Sequence, residues 1–172
     1  MKQNRAAKSI AFPAILGALS LVLVYLGSIA PSGNWGIVAV AGLLPAAAVI
    51  SVNLKAGFLC WAGVSLLSFL LIPDKFCVLM FTVLFGLYPM VKSLIERLRR
   101  RPLEYLLKLV FFNAAFSVLF LVMKAAVFAS LPSVLSSIWV LYLVGNIVFL
   151  LYDFGFSKLI VLYITRIGRA VR

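Results

Sequence analysis

The chain contains no histidine, and only four of its 172 residues are acidic. Histidine is the commonest general base and the commonest metal ligand in proteins, so its absence removes both roles. Sites for hard cations need clustered oxygen ligands, and no two of the acidic residues share a motif. The acidic residues are Asp74, Glu96, Glu104 and Asp153. Since GxSxG, HExxH and P-loop patterns are also absent, the sequence predicts a protein that is not an enzyme and uses no metal or cofactor.

Charged residues of either sign are scarce, at 12% of the chain, against about 25% in soluble domains. Hydrophobic residues make up 65% of the chain, and the mean hydropathy is +1.19. This composition predicts an all-α integral membrane protein. A net charge of +12 would suggest nucleic-acid binding in a soluble protein. Here the positive residues flank apolar runs, as in membrane proteins, so no nucleic-acid partner is expected.

Polar or proline-containing breaks divide the apolar sequence into six stretches within one membrane domain, residues 1–172. Each approaches the length of about 20 residues that a spanning helix needs. The first apolar stretch is too long for a signal-peptide core, so it is predicted to be a retained helix. Residues 154–172 are predicted to continue the sixth helix at the cytoplasmic interface, with a short seventh span as the alternative. The six predicted spans are residues 10–30, 35–52, 56–72, 76–95, 105–130 and 134–153.

The positive charges alternate along the predicted connections and indicate the orientation. They occur before the first span, in the second connection at Lys55, in the fourth connection from Arg97 to Arg101, and in the C-terminal tail. The positive-inside rule therefore predicts that both termini and these two connections are cytoplasmic. The arginines of the fourth connection are also expected to contact anionic lipid headgroups. Cys60 and Cys77 fall near opposite ends of their spans, too far apart for a disulfide.

Polar residues inside the predicted spans are candidates for function. Lys124 lies about six residues from the outer end of the fifth span. It either snorkels to the outer headgroups or faces the bundle interior to meet an anionic ligand group. The sixth span carries a polar and aromatic stripe on one helix face, spaced three and four residues apart. Its members either belong to the aromatic belt and to interhelical hydrogen bonds or line a ligand site. The stripe consists of Trp139, Tyr142, Asn146, Phe149 and Asp153.

Six helices in 172 residues, both ends cytoplasmic and a basic fourth connection resemble the substrate-binding S components of energy-coupling factor (ECF) transporters. The specific pieces are Ala14-x-x-x-Ala18 in the first helix, "FGLYPMVKSLIER" closing the fourth, and "YDFGFSKLIVLYITR" ending the sixth. The resemblance implies that Ala14 and Ala18 pack on a transmembrane T component, which is carried by two cytoplasmic ATPases. Arg97 and Arg100 would flank this docking surface. The resemblance also implies a bacterial plasma membrane.

The resemblance further implies that the substrate is a vitamin, a precursor or a transition-metal ion, bound near the outer surface. Metal-specific members use histidines, so a small organic ligand is expected here. Lys124 would pair with an anionic group of the ligand, the aromatic residues would stack on its ring, and the asparagines would orient it. A non-catalytic membrane scaffold or assembly subunit is the alternative, and it does not need Lys124 to face inward. The expected substrate site comprises Asn34, Trp35, Lys124, Trp139, Tyr142 and Asn146.

Overall fold

The computed structural model describes the backbone of residues 2–98, 100–130 and 138–166, and the side chains of residues 10–98, 100–122 and 139–165. These residues form eight α-helices and no strand. A π-helical segment, Met80–Phe85, joins α5 to α6, and a 3₁₀ turn, Glu96–Leu98, follows α6. The α-helices are α1 Lys2–Ile29, α2 Asn34–Ala41, α3 Leu43–Ser51, α4 Leu54–Leu71, α5 Lys75–Leu79, α6 Tyr88–Ile95, α7 Arg101–Ser130 and α8 Ile138–Arg166.

Six stretches within the described residues are long and apolar enough to cross a membrane, so the prediction of six such helices is confirmed. Two of these stretches are composite, because α2 and α3 form one of them, and α5, the π segment and α6 form another. The structure therefore supports a multi-pass membrane protein. The stretches are Ile10–Ile29, Asn34–Ser51, Leu54–Leu71, Lys75–Leu98, Arg101–Val122 and Trp139–Thr165.

The two ends of the bundle differ in charge. The end that we call the basic end holds the start of α1, the start of α4 with Lys55, and the connection from α6 to α7. A hydrogen bond of 2.8 Å between the hydroxyls of Ser51 and Tyr163 joins the end of α3 to α8 there. The opposite end holds the connection from α1 to α2 and the start of α5, where Asp74 caps the helix by accepting hydrogen bonds from Phe76 and Cys77.

The second span is interrupted at Gly42, between α2 and α3. Pro45 explains the break, because it has no N–H to donate to the carbonyl of Ala41 and its ring clashes with that carbonyl. The buried hydroxyl of Ser20 in α1 donates to the freed carbonyl over 3.0 Å. A Cβ at Gly42 would lie 2.5 Å from the carbonyl oxygen of Phe85, so only glycine permits this approach.

The fourth span is interrupted where the π segment meets α6. Pro89 stands four residues after Phe85 and cannot donate to its carbonyl. Within the π segment, the Gly86 amide donates a hydrogen bond of 2.7 Å to the carbonyl of Phe81, five residues before it, as in a π-helix. The indole nitrogen of Trp61 in α4 donates to the Thr82 carbonyl over 2.9 Å. The irregular backbone thus receives its hydrogen bonds from within the bundle, as membrane helices require.

The sixth helix, α8, continues without a break past Asp153 to Arg166. No proline or glycine pair interrupts it, and the charge of Asp153 is paired inside the bundle, so nothing in the sequence stops the helix there. Its 29 residues extend about 42 Å. As far as residue 166, the predicted tail is therefore part of one long sixth helix. A separate seventh span is absent from the described residues.

Candidate functional site

An aromatic cavity of about 170 Å³ lies between α2, α5, the π segment, α7 and α8. It begins near the opposite end of the bundle, where Trp35 and Phe76 stand at the starts of α2 and α5. Along α8 its wall runs from Leu141 to Tyr152, about 16 Å of helix. Eight aromatic side chains line it: Trp35, Phe76, Phe85, Phe112, Phe116, Phe120, Phe149 and Tyr152.

The aromatic rings of the wall pack against one another in pairs. Trp35 and Phe76 meet with ring centroids 5.9 Å apart. Phe112 stacks on Phe149 at 4.6 Å and on Phe116 at 5.5 Å, which joins α7 to α8. Such pairs contribute about 0.5–1.5 kcal/mol each beyond the area that they bury. The wall is therefore held together by its own contacts and does not need a ligand to keep its shape.

The cavity suits an uncharged ring. All its lining residues are described, and none of them is charged. Its volume is close to the roughly 150 Å³ of an apolar protein cavity that accepts benzene. The cavity can therefore hold one ring of that size without rearrangement, whereas a charged group inside it would lose its hydration without compensation.

Tyr88, at the start of α6, packs behind the cavity wall on the side of the basic end. Its ring packs edge-on against Phe149 at 5.2 Å and lies 5.8 Å from the ring of Tyr152, and both of these residues belong to the cavity wall. Its hydroxyl donates a hydrogen bond to the carboxylate of Asp153 in α8. Tyr88 thus separates the cavity from a group of charges on the side of the basic end.

This group, which we call the charge network, consists of Lys92 in α6, Glu96 in the 3₁₀ turn, Lys108 in α7 and Asp153 in α8. Lys92 forms an ion pair with Asp153 and donates to the Ser157 hydroxyl over 2.8 Å. The ammonium of Lys92 also lies 3.0 Å from the carboxylate of Glu96. Lys108 bridges both acids, at 2.9 Å to Glu96 and 3.1 Å to Asp153. The two positive and two negative charges balance.

The network is buried except at Glu96. Lys92 is 2% exposed, and Lys108 and Asp153 are also buried, whereas the side chain of Glu96 is 44% exposed. Buried ions are tolerated only when they are paired and their hydrogen bonds are satisfied. Here Asp153 accepts from three side chains, and each lysine contacts both acids. The exposed carboxylate of Glu96 connects the network to the surroundings of the basic end.

Sequence analysis missed the charge network, although the local pattern was visible. Tyr88, Lys92 and Glu96 stand four residues apart and therefore share one face of a helix. Glu96 also stands four residues before Arg100, and Glu104 four residues before Lys108, a spacing that favours ion pairs along a helix. In the structure, Lys108 instead turns into the bundle and contacts Glu96 and Asp153. Within the described side chains, Glu104 forms no ion pair.

Of the predicted substrate-site residues whose side chains are described, the structure brings only Trp35 to the cavity. Asn34 lies beside it at the start of α2, and its side-chain oxygen accepts a hydrogen bond from the Trp35 amide. Trp139 is 85% exposed and lies outside the cavity wall. Lys124 belongs to α7, one helical turn beyond Phe120 of the wall, but its side chain lies outside the described residues.

Tyr142 and Asn146 face α7 and not the cavity. The Asn146 and Asn113 side-chain amides exchange two hydrogen bonds of 2.9 and 3.1 Å. The hydroxyls of Tyr142 and Ser117 are 2.7 Å apart. The predicted stripe on the sixth helix thus faces the bundle from Tyr142 onward. The polar atoms of Tyr142 and Asn146 join α8 to α7 by hydrogen bonds.

The predicted docking residues lie on the surface. Ala14 and Ala18 are exposed and line an apolar groove of about 520 Å³ between α1 and α4. Gly63 lies on the α4 side of the groove, and Lys55 lies at its basic end. Arg97 and Arg100 are exposed between α6 and α7. The small side chains leave room for another helix to approach closely.

Metal binding finds no support in the described residues, which contain no group of three or more histidine, cysteine or acidic side chains. Cys60 and Cys77 are buried free thiols, as expected from their predicted separation. No protein-family model, no curated protein and no solved structure matches the chain. The functional assignment therefore depends on the cavity, the network and the groove.

Proposed function

We propose that the protein is the substrate-binding subunit of a membrane uptake transporter for a small organic molecule that contains a single ring. The observation that carries this proposal is the aromatic cavity. Its volume and its uncharged wall suit one ring, and eight aromatic side chains supply faces for stacking. By the positive-inside rule, the basic end is cytoplasmic and the cavity lies in the outer half of a bacterial plasma membrane.

The ligand is expected to carry an anionic group outside the cavity. The ring fills the aromatic wall, whereas a carboxylate or phosphate remains at the outer end, where hydration is available. Lys124 follows Phe120 by one helical turn in that direction. A lysine at this position can pair with the anionic group. A vitamin or precursor with one ring and one acidic substituent meets both requirements.

The transporter is proposed to be of the ECF type, with this chain as its S component. The supporting observation is the exposed groove with Ala14 and Ala18, which provides a close-packing surface for a helix of a T component. Arg97 and Arg100 are exposed at the same end and can contact the cytoplasmic ATPases or the T component. The scaffold alternative shares the groove but assigns no role to the cavity.

Ligand binding tests the first part of this proposal. A panel of single-ring vitamins and precursors is titrated into purified Trp139→Phe protein, whose remaining tryptophans are Trp35 in the cavity wall and Trp61 outside it, and quenching of the tryptophan fluorescence is followed. Val144→Phe, which places a ring in the cavity, should weaken binding at least tenfold. Val140→Phe is the matched control, because Val140 lies one turn away in α8, outside the wall, and is 38% exposed against 37% for Val144. Equal affinities of the two variants would contradict the site.

Lys124→Met tests the anionic group. We expect it to weaken binding of an acidic ligand at least tenfold and to leave binding of the corresponding amide unchanged. Lys158→Met, at an exposed lysine in the basic half of α8, is the control. A similar loss for both ligands, or no loss for either, would show that Lys124 does not pair with the anion.

Partner docking is tested by affinity purification from native membranes with identification of the co-purifying proteins. A transmembrane T component and two ATPases are expected to accompany the native chain, and Ala14→Leu with Ala18→Leu should release them. Ala114→Leu, at an exposed alanine of α7, is the control. Recovery of unrelated membrane proteins, with these three absent, would favour the scaffold.

A further inference from the structure

We propose that a second groove, between α1, α3 and α8, binds an anionic phospholipid, with one acyl chain in the groove and the phosphate at the basic end. The groove, which we call the α3 groove, has a volume of about 470 Å³, and none of the residues that line it is charged. It shares no lining residue with the aromatic cavity or with the groove at Ala14 and Ala18. The inference therefore does not rest on the proposed transport function.

The shape of the α3 groove suits a flexible chain better than a helix. The short helix α3 packs between α1 and α8 and supplies a floor of small buried residues, Ala46 and Ala47. Larger side chains stand along the sides, such as Leu159 and Leu162 of α8, which are 48% and 56% exposed. Membrane helices approach each other through small residues at their surfaces. Here the small residues lie behind large ones, which leaves an apolar slot open to lipid.

The α3 groove lies away from the proposed docking surface. Phe12 and Leu16 line the α3 groove, and each is two residues from Ala14. Two residues turn an α-helix by about 200°, so the two grooves are on opposite sides of α1. A partner helix on Ala14 and Ala18 would leave the α3 groove in contact with the membrane.

Basic residues continue the α1 side of the groove toward the basic end. Lys8 precedes Phe12 by four residues, and Arg5 precedes Lys8 by three. These positions therefore share one face of α1 with the groove lining. Along the helix, Lys8 stands about 6 Å and Arg5 about 10 Å beyond Phe12. The same helix face is thus apolar along the groove and carries basic residues beyond its end.

The α8 side follows the same order. Arg166 follows Leu162 by four residues and Leu159 by seven, so it shares the face of α8 that lines the groove. The sequences of α1 and α3 contain no acidic residue, and Asp153, the single acidic residue of α8, is buried in the charge network. Basic residues therefore flank the groove on two helices, and no exposed carboxylate on the three helices competes with a phosphate.

A polar contact marks the boundary between the apolar and the basic part of the site. Tyr163 lines the groove, and its hydroxyl lies 2.8 Å from that of Ser51, the last residue of α3. The order of apolar groove, hydroxyls and basic residues matches the order of acyl chain, ester and phosphate in a phospholipid. By the positive-inside rule this end meets the cytoplasmic leaflet, where basic pockets between membrane helices bind anionic headgroups.

Native mass spectrometry of the delipidated protein in a neutral detergent tests the headgroup part of the site. Phosphatidylglycerol and phosphatidylcholine with identical acyl chains are titrated separately, and the first phosphatidylglycerol should bind at least tenfold more tightly. A basic residue near an anionic lipid strengthens binding about fivefold. A triple variant should therefore weaken phosphatidylglycerol binding at least tenfold and leave phosphatidylcholine binding unchanged. Its changes are Arg5→Gln, Lys8→Gln and Arg166→Gln.

A second triple variant is the matched control. It removes the same number of positive charges from exposed residues between α6 and α7, at the same end of the bundle. These residues lie on none of the three helices that form the groove, so the affinity for phosphatidylglycerol should change no more than threefold. The changes are Arg97→Gln, Arg100→Gln and Arg101→Gln.

Filling the groove tests its acyl part. Leu162→Trp places a larger side chain in the groove and should weaken phosphatidylglycerol binding at least fivefold. Leu151→Trp is the control, because Leu151 lies in the same helix and is 68% exposed but does not line the groove. It should change the affinity less than twofold.

Four outcomes would overturn the lipid site. Equal binding of the two lipids, or equal losses in the two triple variants, would show only a general attraction to the basic end. An unchanged affinity of Leu162→Trp would show that no acyl chain occupies the groove. A dimer in the same spectra that Leu162→Trp dissociates would assign the groove to a second copy of the chain. Release of co-purifying membrane proteins by Leu162→Trp would assign it to a partner helix.

Discussion

Replacement of Asp153 by asparagine should destabilise the protein strongly, and replacement of its partner at the same time should recover part of the loss. Asp153 is buried and accepts from Tyr88, Lys92 and Lys108. Asparagine keeps the shape but removes the charge, so that two buried lysines face a single carboxylate. Breaking a buried ion pair by removing one partner costs about 3–5 kcal/mol. The same cost applies to Lys92→Met, which leaves two carboxylates facing Lys108.

The double variant Lys92→Met with Asp153→Asn leaves Lys108 and Glu96 as one balanced pair. If the two sites were independent, the losses would add to about 6–10 kcal/mol. Residues in one ion-pair network are not independent and show interaction energies of up to about 3 kcal/mol. We therefore expect the double variant to be about 2–3 kcal/mol more stable than the sum of the single changes implies.

Reversible unfolding in mixed micelles, followed by far-ultraviolet circular dichroism, measures these free energies. Glu104→Gln is the control, because Glu104 forms no ion pair within the described side chains. It should change the free energy of unfolding by no more than about 0.5 kcal/mol. If the effects of the two single changes add within about 0.5 kcal/mol, the network does not act as a unit. That result, or a loss below about 1 kcal/mol for Asp153→Asn, would refute the reasoning.

Two further predictions concern helix contacts and use the same unfolding measurement. Gly42→Ala should lower the free energy of unfolding by about 1–3 kcal/mol, because the added Cβ would meet the Phe85 backbone. At Gly63 an added Cβ meets nothing within 4 Å, so Gly63→Ala should be neutral or stabilising by up to about 1 kcal/mol. Equal effects of the two changes would contradict the close approach at Gly42. Asn146→Ala should lower the free energy of unfolding by about 0.6–1.7 kcal/mol, the range for a hydrogen bond between membrane helices. Because Asn113 and Asn146 bond to each other, the double variant with Asn113→Ala should be little less stable than Asn146→Ala alone. Additive losses would show that the two amides act separately.

The helical architecture was predictable because it depends on local properties of the chain. The length and composition of the apolar runs determine the number of spans, and polar breaks such as the one before Asn34 determine where they start. Proline effects are equally local. Pro102 lies in the first turn of α7, where a proline fits a helix, and Pro45 lies in the first turn of α3, directly after the break in the second span. The close approach of Gly42 to the Phe85 backbone, in contrast, depends on how two spans pack together and was not predictable.

The candidate site was less predictable because its residues come from distant parts of the chain. The cavity combines Trp35 with residues as far away as Tyr152, and periodicity alone does not show which helix faces meet. Lys108 illustrates the difficulty. Glu104, four residues before it, is a plausible partner in sequence, but its partners in space are Glu96 and Asp153, the latter forty-five residues away. An apolar cavity also leaves no polar motif in the sequence.

The π segment has a consequence for how the chain tolerates insertions and deletions. A π-helical turn accommodates one residue more than the surrounding α-helix. Each residue of an α-helix turns the chain by about 100°, so the extra residue sets the direction in which everything after Phe85 points. Deletion of one residue between Met80 and Phe85 would restore a regular helix and swing Lys92 about 100° away from Asp153, toward lipid. The number of residues in this segment is therefore as important for the ion pair between Lys92 and Asp153 as the identity of the two charged residues.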